Sequence, residues 1–296
     1  MAMLRNSNAE PLECQEDFKG DLVAITGATS GIGYITAREY ASHGANLYVI
    51  NRNKEKTLKL CDEIKRDFGV DCRYKLADFA HISDVKKVGE ELANSDLNID
   101  VFIHNAGVYL DERTISDDGL EMVFQVDHLS SFILTYLLKD KLTAQEKCRI
   151  ILVNSEGHRF AILGLKLDDL NWQKRSYSGL KSYGSAKTAQ LLTMIKFNNY
   201  FRKSGVTINA MHPGNVKTNM GEEDSGLFQR VFIEPSYRSP KVSAKALYYL
   251  GVSKDIEGLS GRYFNLTYEE EPAPPVLDRK MIKEIWDLSI KLAGLE

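Results

Sequence analysis

Residues 22–40 read "LVAITGATSGIGYITAREY", a short aliphatic run, a glycine-rich turn and then an amphipathic stretch. An apolar run of that length passing directly into a helical pattern predicts a buried strand followed by a helix. The turn between them carries Gly27, Gly31 and Gly33, with Ser30 and Ile32 interleaved. Glycine at such a junction lets the backbone approach a pyrophosphate, whose charge the free N–H groups and the positive helix end stabilise. The Gly-x-x-x-Gly-x-Gly spacing departs from the common dinucleotide fingerprint, and the glycines alone also fit plain turn chemistry. Their position after the first strand favours the phosphate reading.

The same alternation continues outward from this unit. "NLYVI" precedes a helical pattern over Lys54 to Phe68, "CRYKLA" precedes Ser83 to Ala93, and "VFIHN" precedes Leu120 to Leu138. "RIILVNS", Ser182 to Arg202, "TINAMHP", Lys241 to Val252 and "RYFNL" complete the series. Strands alternating with crossover helices predict a parallel sheet covered on both faces. The expected fold is a single Rossmann-type doubly wound α/β domain, residues 21–296, with six to seven strands. Residues 1–20 read as a flexible polar extension, and "TYEEEPAPPVLD" as a surface connector. The closing "RKMIKEIWDLSIKLAGL" places Met281, Ile282, Ile285, Leu288 and Leu292 at helical spacing. This helix is expected to pack on the domain, with peripheral membrane contact or a partner contact as the alternative.

Composition narrows the function classes. The 296 residues are 43% hydrophobic and 27% charged, with a formal net charge of -3, so no nucleic-acid partner is expected. The four cysteines form neither metal-type pairs nor a dense framework and read as free thiols. No histidine pairing suits a metal, so none is expected. The opening residues lack the apolar core of a signal peptide, and no run of about 18 apolar residues occurs. A cytoplasmic protein without a transmembrane segment is the expectation.

The end of the second strand bears on which dinucleotide binds. An acid there would hydrogen-bond the adenosine 2′-hydroxyl and repel a 2′-phosphate, but the residues are Asn51, Arg52 and Asn53. Arg52 offers a planar cation suited to phosphate, which favours NADP(H), the other reading being a solvated residue starting the next helix. "SYGSAK" then sets Tyr183 and Lys187 one helical turn apart on a shared face.

"TGATSGIG", "HNAG" at residues 104–107, Ser155, the Tyr183/Lys187 pair and "HPGNVKT" at residues 212–218 together resemble the short-chain dehydrogenase/reductase family over nearly the whole chain. "NRNKEK", "LADFAHISDV", "VDHLSSFILT" and "IWDLSIKLAGL" resemble its retinol dehydrogenase branch. The resemblance implies an NADP(H)-dependent oxidoreductase that moves hydride between nicotinamide and a carbonyl or alcohol. It implies Asp78 and Phe79 at the adenine, Asn105, Ala106 and Gly107 along the cofactor, and Pro213, Gly214, Val216 and Thr218 at the nicotinamide. Tyr183 is then the acid or base, its phenolate favoured by the charges of Lys187 and of the oxidised cofactor, and Lys187 also holds the ribose. Ser155 hydrogen-bonds the substrate oxygen.

The fourth catalytic position, asparagine in the family, is Asp127 in "FQVDHLSS". Its backbone carbonyl, which positions a water in relatives, is retained, while its carboxylate should raise the lysine pKa. The segments after Ser155 and over residues 219–240 should close the substrate pocket. Leu227, Phe228, Val231, Phe232 and Ile233 give the second an apolar lid character that suits a lipophilic aldehyde, ketone, retinoid or steroid. The sequence leaves the oligomeric state open; the resemblance allows a homodimer, since relatives often pair through the helices equivalent to Leu120–Leu138 and Ser182–Arg202. A cofactor-binding regulatory or scaffold protein with weak or no turnover stays open beside the enzyme, on the strength of Asp127 and His104.

Overall fold

The computed structural model describes residues 9–161, 165–216 and 238–296. Within them, eight strands form one sheet: β1 Leu22–Thr26, β2 Asn46–Asn51, β3 Cys72–Leu76, β4 Val101–His104, β5 Cys148–Val153, β6 Val206–His212, β7 Tyr263–Asn265 and β8 Tyr268–Glu270. Their order is β3-β2-β1-β4-β5-β6-β7-β8. Every pair is parallel except β7 with β8. The helices are α1 Gly31–Ser42, α2 Lys54–Phe68, α3 Ile82–Ala93, α4 Ser130–Ala144, α5 Gly179–Phe201, α6 Pro240–Val252 and α7 Arg279–Ala293.

Side-chain alternation along the strands builds two cores. Ile150 and Leu152 of β5 join Val88, Phe132 and Phe197 of α3, α4 and α5 on one face. Ile151 and Val153 join Tyr40, Leu60 and Leu247 of α1, α2 and α6 on the other. The central strands are therefore apolar on both sides. At the open edge, β3 has exposed Arg73, Tyr74 and Lys75, and charge on an edge strand discourages pairing with another chain.

Three sequence expectations are amended and a fourth holds. The sheet has eight strands where six to seven were expected, because "YEE" of the presumed connector turns back after Leu266 and pairs with β7. Leu266 takes a φ of 55°, the left-handed conformation that lets the strand reverse. The presumed flexible extension is bound to the domain over its described part. Cys14 and Phe18 are buried, Phe18 meets Tyr40 edge-on, and the Leu12 N–H donates to Thr267 Oγ1 at 2.9 Å. The helix expected over Leu120–Leu138 is continuous but carries a π-helical turn at Phe124–Leu129 that leads into α4, which extends to Ala144. Finally, α7 packs on the domain as expected, burying Ile285, Ser289 and Ala293, with Trp286 against Phe132 and Phe197.

Because β1 pairs with β2 on one side and β4 on the other, the chain reverses its winding direction there. A crevice opens at the carboxyl ends of strands flanking such a switch.

Candidate active site

The crevice is a cleft of about 830 Å³ lined by residues from the ends of β1, β2, β4, β5 and β6 and by α5. Its floor is the turn after β1. Gly27 and Gly31 have φ of 71° and 54°, which residues with a Cβ adopt only at a cost. A Cβ on Gly33 would lie 2.2 Å from the Gly27 carbonyl oxygen and 2.4 Å from Asn105 Nδ2. The turn is held by Asn105, whose Nδ2 donates to the Gly27 carbonyl at 2.9 Å and to the Thr26 carbonyl at 3.1 Å. Thr26 Oγ1 accepts from the Asn105 and Ala106 amides, each at 3.0 Å. Ser30, Gly31 and Ile32 open α1 at this floor, so the helix N-terminus faces the cleft.

The adenosine side follows from β2 and β3. Arg52, Asp78 and Phe79 line the cleft as expected, and Lys56 adds a second cation that the sequence reading missed. Lys56 lies one helical turn beyond Arg52, a spacing visible in "NRNKEK". Asn51 is buried and accepts from the Ala28 amide at 2.7 Å. Its Nδ2 has no protein partner, leaving an orphan donor in the lining. Glycine cradle, helix end, orphan amide and two cations fit a nicotinamide dinucleotide with its pyrophosphate. Ala106, Gly107, Pro213, Gly214 and Val216 line the remaining wall. Thr218 and nearly all of the expected lid, Leu227 to Ile233 included, lie outside the described residues.

Ser155, Tyr183 and Lys187 converge on this wall. Ser155 caps a short helical turn, its Oγ accepting from the Gly157 amide at 3.0 Å, and its hydroxyl is in hydrogen-bonding reach of Tyr183. Gly157 lies under the tyrosine: a Cβ there would be 3.0 Å from the Tyr183 ring. The Tyr109 ring meets the same ring edge-on with centroids 5.8 Å apart. Lys187 Nζ stands 5.4 Å from the Tyr183 centroid and donates to the Val153 carbonyl at 3.1 Å.

Asp127 belongs to the same constellation. The π turn brings its Oδ2 to 3.2 Å from Lys187 Nζ, both side chains almost wholly buried, while Oδ1 accepts from the Val108 amide at 2.7 Å. A π turn commonly marks a functional position in a helix. The Asp127 carbonyl, assigned by resemblance to a water, accepts from Gln190 Nε2 at 3.1 Å; its second lone pair remains.

In the protein's own field Tyr183 is pushed up: burial dominates, Lys187 and a hydrogen bond with Ser155 oppose it, and the Asp127 charge adds to the rise. Burial pulls Lys187 down, but Asp127 and Tyr183 outweigh it, so the ammonium is held. Burial of the phenol outweighs the pull of the Lys187 cation, and the Asp127 carboxylate adds a smaller contribution in the direction of burial.

Two supports went unread in the sequence. Asn154 Oδ1 accepts from the Ser155 amide, and its Nδ2 donates to the Lys187 carbonyl and to Gln190 Oε1. A polar residue ending the apolar run "RIILV" was the available signal for Asn154, and the i+3 position from Lys187 for Gln190. His158 is satisfied, Nδ1 on the Ser155 carbonyl and Nε2 accepting from the Ala273 amide. Among the described residues no cluster suits a metal ion, and no helix is long and apolar enough to cross a membrane.

Known proteins agree with this architecture. A family model described as short chain dehydrogenase matches residues 21–165. Retinol dehydrogenase 13 of Homo sapiens is 33% identical over 94% of this chain and 86% of its own length. Retinol dehydrogenase 14 of Mus musculus is 32% identical over 93% and 86%. Among solved structures, an uncharacterized protein from Mycobacterium paratuberculosis superposes with a TM-score of 0.73 at 25% identity, covering 94% of this chain and 95% of that one. An NAD(P)-dependent gluconate 5-dehydrogenase from Beutenbergia cavernae, solved with bound NADP, gives 0.67 at 21% identity over 84% and 96%. The chain belongs to the short-chain dehydrogenase/reductase family of oxidoreductases, in its retinol dehydrogenase-like branch.

Proposed function

We propose that the protein is an NADP(H)-dependent oxidoreductase that interconverts a lipophilic carbonyl compound and its alcohol. The observation that carries this reading is the meeting of Ser155, Tyr183 and Lys187 on one wall of the cleft at the β1/β4 switch. A bound nicotinamide dinucleotide would exchange hydride with the substrate carbon. Tyr183 passes its hydroxyl proton to the substrate oxygen in reduction and takes it back in oxidation. Ser155, its Oγ already fixed by the Gly157 amide, donates to the same oxygen and orients it. Lys187 spends one ammonium donor on the Val153 carbonyl and faces Asp127 with another, leaving a third for a ribose hydroxyl. Arg52 and Lys56 supply the charge that favours a 2′-phosphate.

Val108, Tyr109, Leu110 and Met122 beside Tyr183 support an apolar substrate such as an aldehyde, ketone, retinoid or steroid. The relatives named retinol dehydrogenases agree in class. The raised Tyr183 keeps its phenol protonated, the form that carbonyl reduction draws on. Oxidation of NADPH and NADH against a panel of apolar and polar carbonyls tests the proposal; turnover confined to polar substrates or to NADH contradicts it.

A second reading, a dinucleotide-binding protein with weak turnover, is favoured by the buried Asp127–Lys187 pair. Tight NADPH binding with no turnover across the panel selects it. Pairing of two copies over α4 and α5 would have to involve α7, which packs on both.

A further inference from the structure

Cys61 on α2 and Cys72 at the start of β3 place their sulfurs 3.0 Å apart. A disulfide requires about 2.05 Å, so closure asks for roughly 1 Å of movement. That movement falls on an accommodating part of the fold, because β3 is the outermost strand and is paired only with β2. Both cysteines are partly exposed, whereas Cys14 and Cys148 are buried. We propose that Cys61 and Cys72 form a peroxide-responsive thiol pair that closes to an intramolecular disulfide tying α2 to the edge strand.

The reaction needs a hydroperoxide as oxidant. The Cys61 thiolate attacks one peroxide oxygen and the O–O bond breaks, giving a sulfenic acid on Cys61 and water once the leaving oxygen takes up the thiol proton. The Cys72 sulfur then attacks the Cys61 sulfur. The S–O bond breaks, and the departing hydroxide leaves as water with the Cys72 proton. Two thiols are oxidised by two electrons and one hydrogen peroxide becomes two waters. The division of roles follows the hydrogen bond between the sulfurs: it lowers Cys61 against the opposing effect of burial, and raises Cys72 together with burial. Cys14 is pushed up to about 12 by burial and by Glu16, so it serves as an internal control.

The bridge closes a short loop, residues 61–72, at the end of β3 remote from the cleft residues Ala77 and Asp78. Its effect is therefore on the edge strand. The test treats the full chain with hydrogen peroxide, quenches, alkylates under denaturing conditions and maps the peptides. The expected result is a Cys61–Cys72 linked peptide in monomeric protein, loss of two alkylatable thiols, recovery with a dithiol reductant, and a higher thermal midpoint. Cys61→Ser should remove the link and the midpoint shift together. Full alkylation of Cys61 and Cys72 after peroxide, their recovery as sulfinic acids, or a link between two chains overturns the pair. A link with no rise in midpoint overturns its hold on the strand.

Discussion

The Asp127 carboxylate faces the Lys187 ammonium at 3.2 Å, out of water, and the same ammonium stands 5.4 Å from the centroid of the Tyr183 ring. Replacing Asp127 by Asn keeps the shape and removes the countercharge. The uncompensated ammonium then pulls the Tyr183 phenol down. Alcohol oxidation, which needs the phenolate, should reach its plateau at lower pH, and carbonyl reduction, which needs the phenol, should decline at lower pH. Paired pH profiles of kcat for wild type and Asp127→Asn check this. Coincident profiles would remove Asp127 from the proton chemistry.

Truncation of the same residue tests its structural role. Asp127→Ala leaves Lys187 buried with only the Val153 carbonyl and leaves the Val108 amide without its acceptor. Breaking a buried pair in this way costs about 3–5 kcal/mol, measurable by urea denaturation. A loss below about 1 kcal/mol would show that water reaches the site.

Tyr183→Phe removes the proton and the hydrogen bond with Ser155, while the ring keeps its contact with Tyr109. Turnover should fall by about 10²–10⁴-fold, with NADPH affinity from fluorescence titration held within about threefold. Retained turnover would assign the proton to another group.

Arg52→Ala should lower the NADPH over NADH preference by about 10- to 100-fold, the worth of one charge-assisted hydrogen bond to phosphate. Lys56→Ala should have a smaller effect in the same direction. Unchanged ratios of kcat/KM for the two cofactors would sink the phosphate assignment.

Acid should destabilise the fold through three buried histidines. Burial holds His104 and His128 down to about 3 and, with Glu156 opposing, His212 to about 4. The unfolded chain takes up these protons near pH 6.5 while the folded chain refuses them. Stability therefore falls as pH drops below about 6.5, by up to about 1.4 kcal/mol per pH unit for each histidine. Urea midpoints at pH 7.5 and 5.0 should differ clearly, and a flat profile contradicts the burial of these rings.

Local pattern carried much of this architecture. α2 begins at Lys54 and ends at Phe68, as its periodicity predicts, because Asn53 accepts from the Lys56 amide at one end and Gly69 takes φ of 70° at the other. Those are signals written within a few residues. The short β8 carried none, since its three residues form a strand only because Leu266 turns them back against β7.

The site divides along the same line. The order of glycines, Ser155, Tyr183 and Lys187 along the chain was enough to name the family and the cleft, because each lies at a strand end or on one helix face that local periodicity defines. The sign of the Tyr183 shift was not available that way. It depends on how deeply the phenol is buried and on a carboxylate 60 residues away in sequence that a π turn carries to the lysine. Burial and distance between remote residues exist only once the chain has folded, and electrostatic energy depends on both.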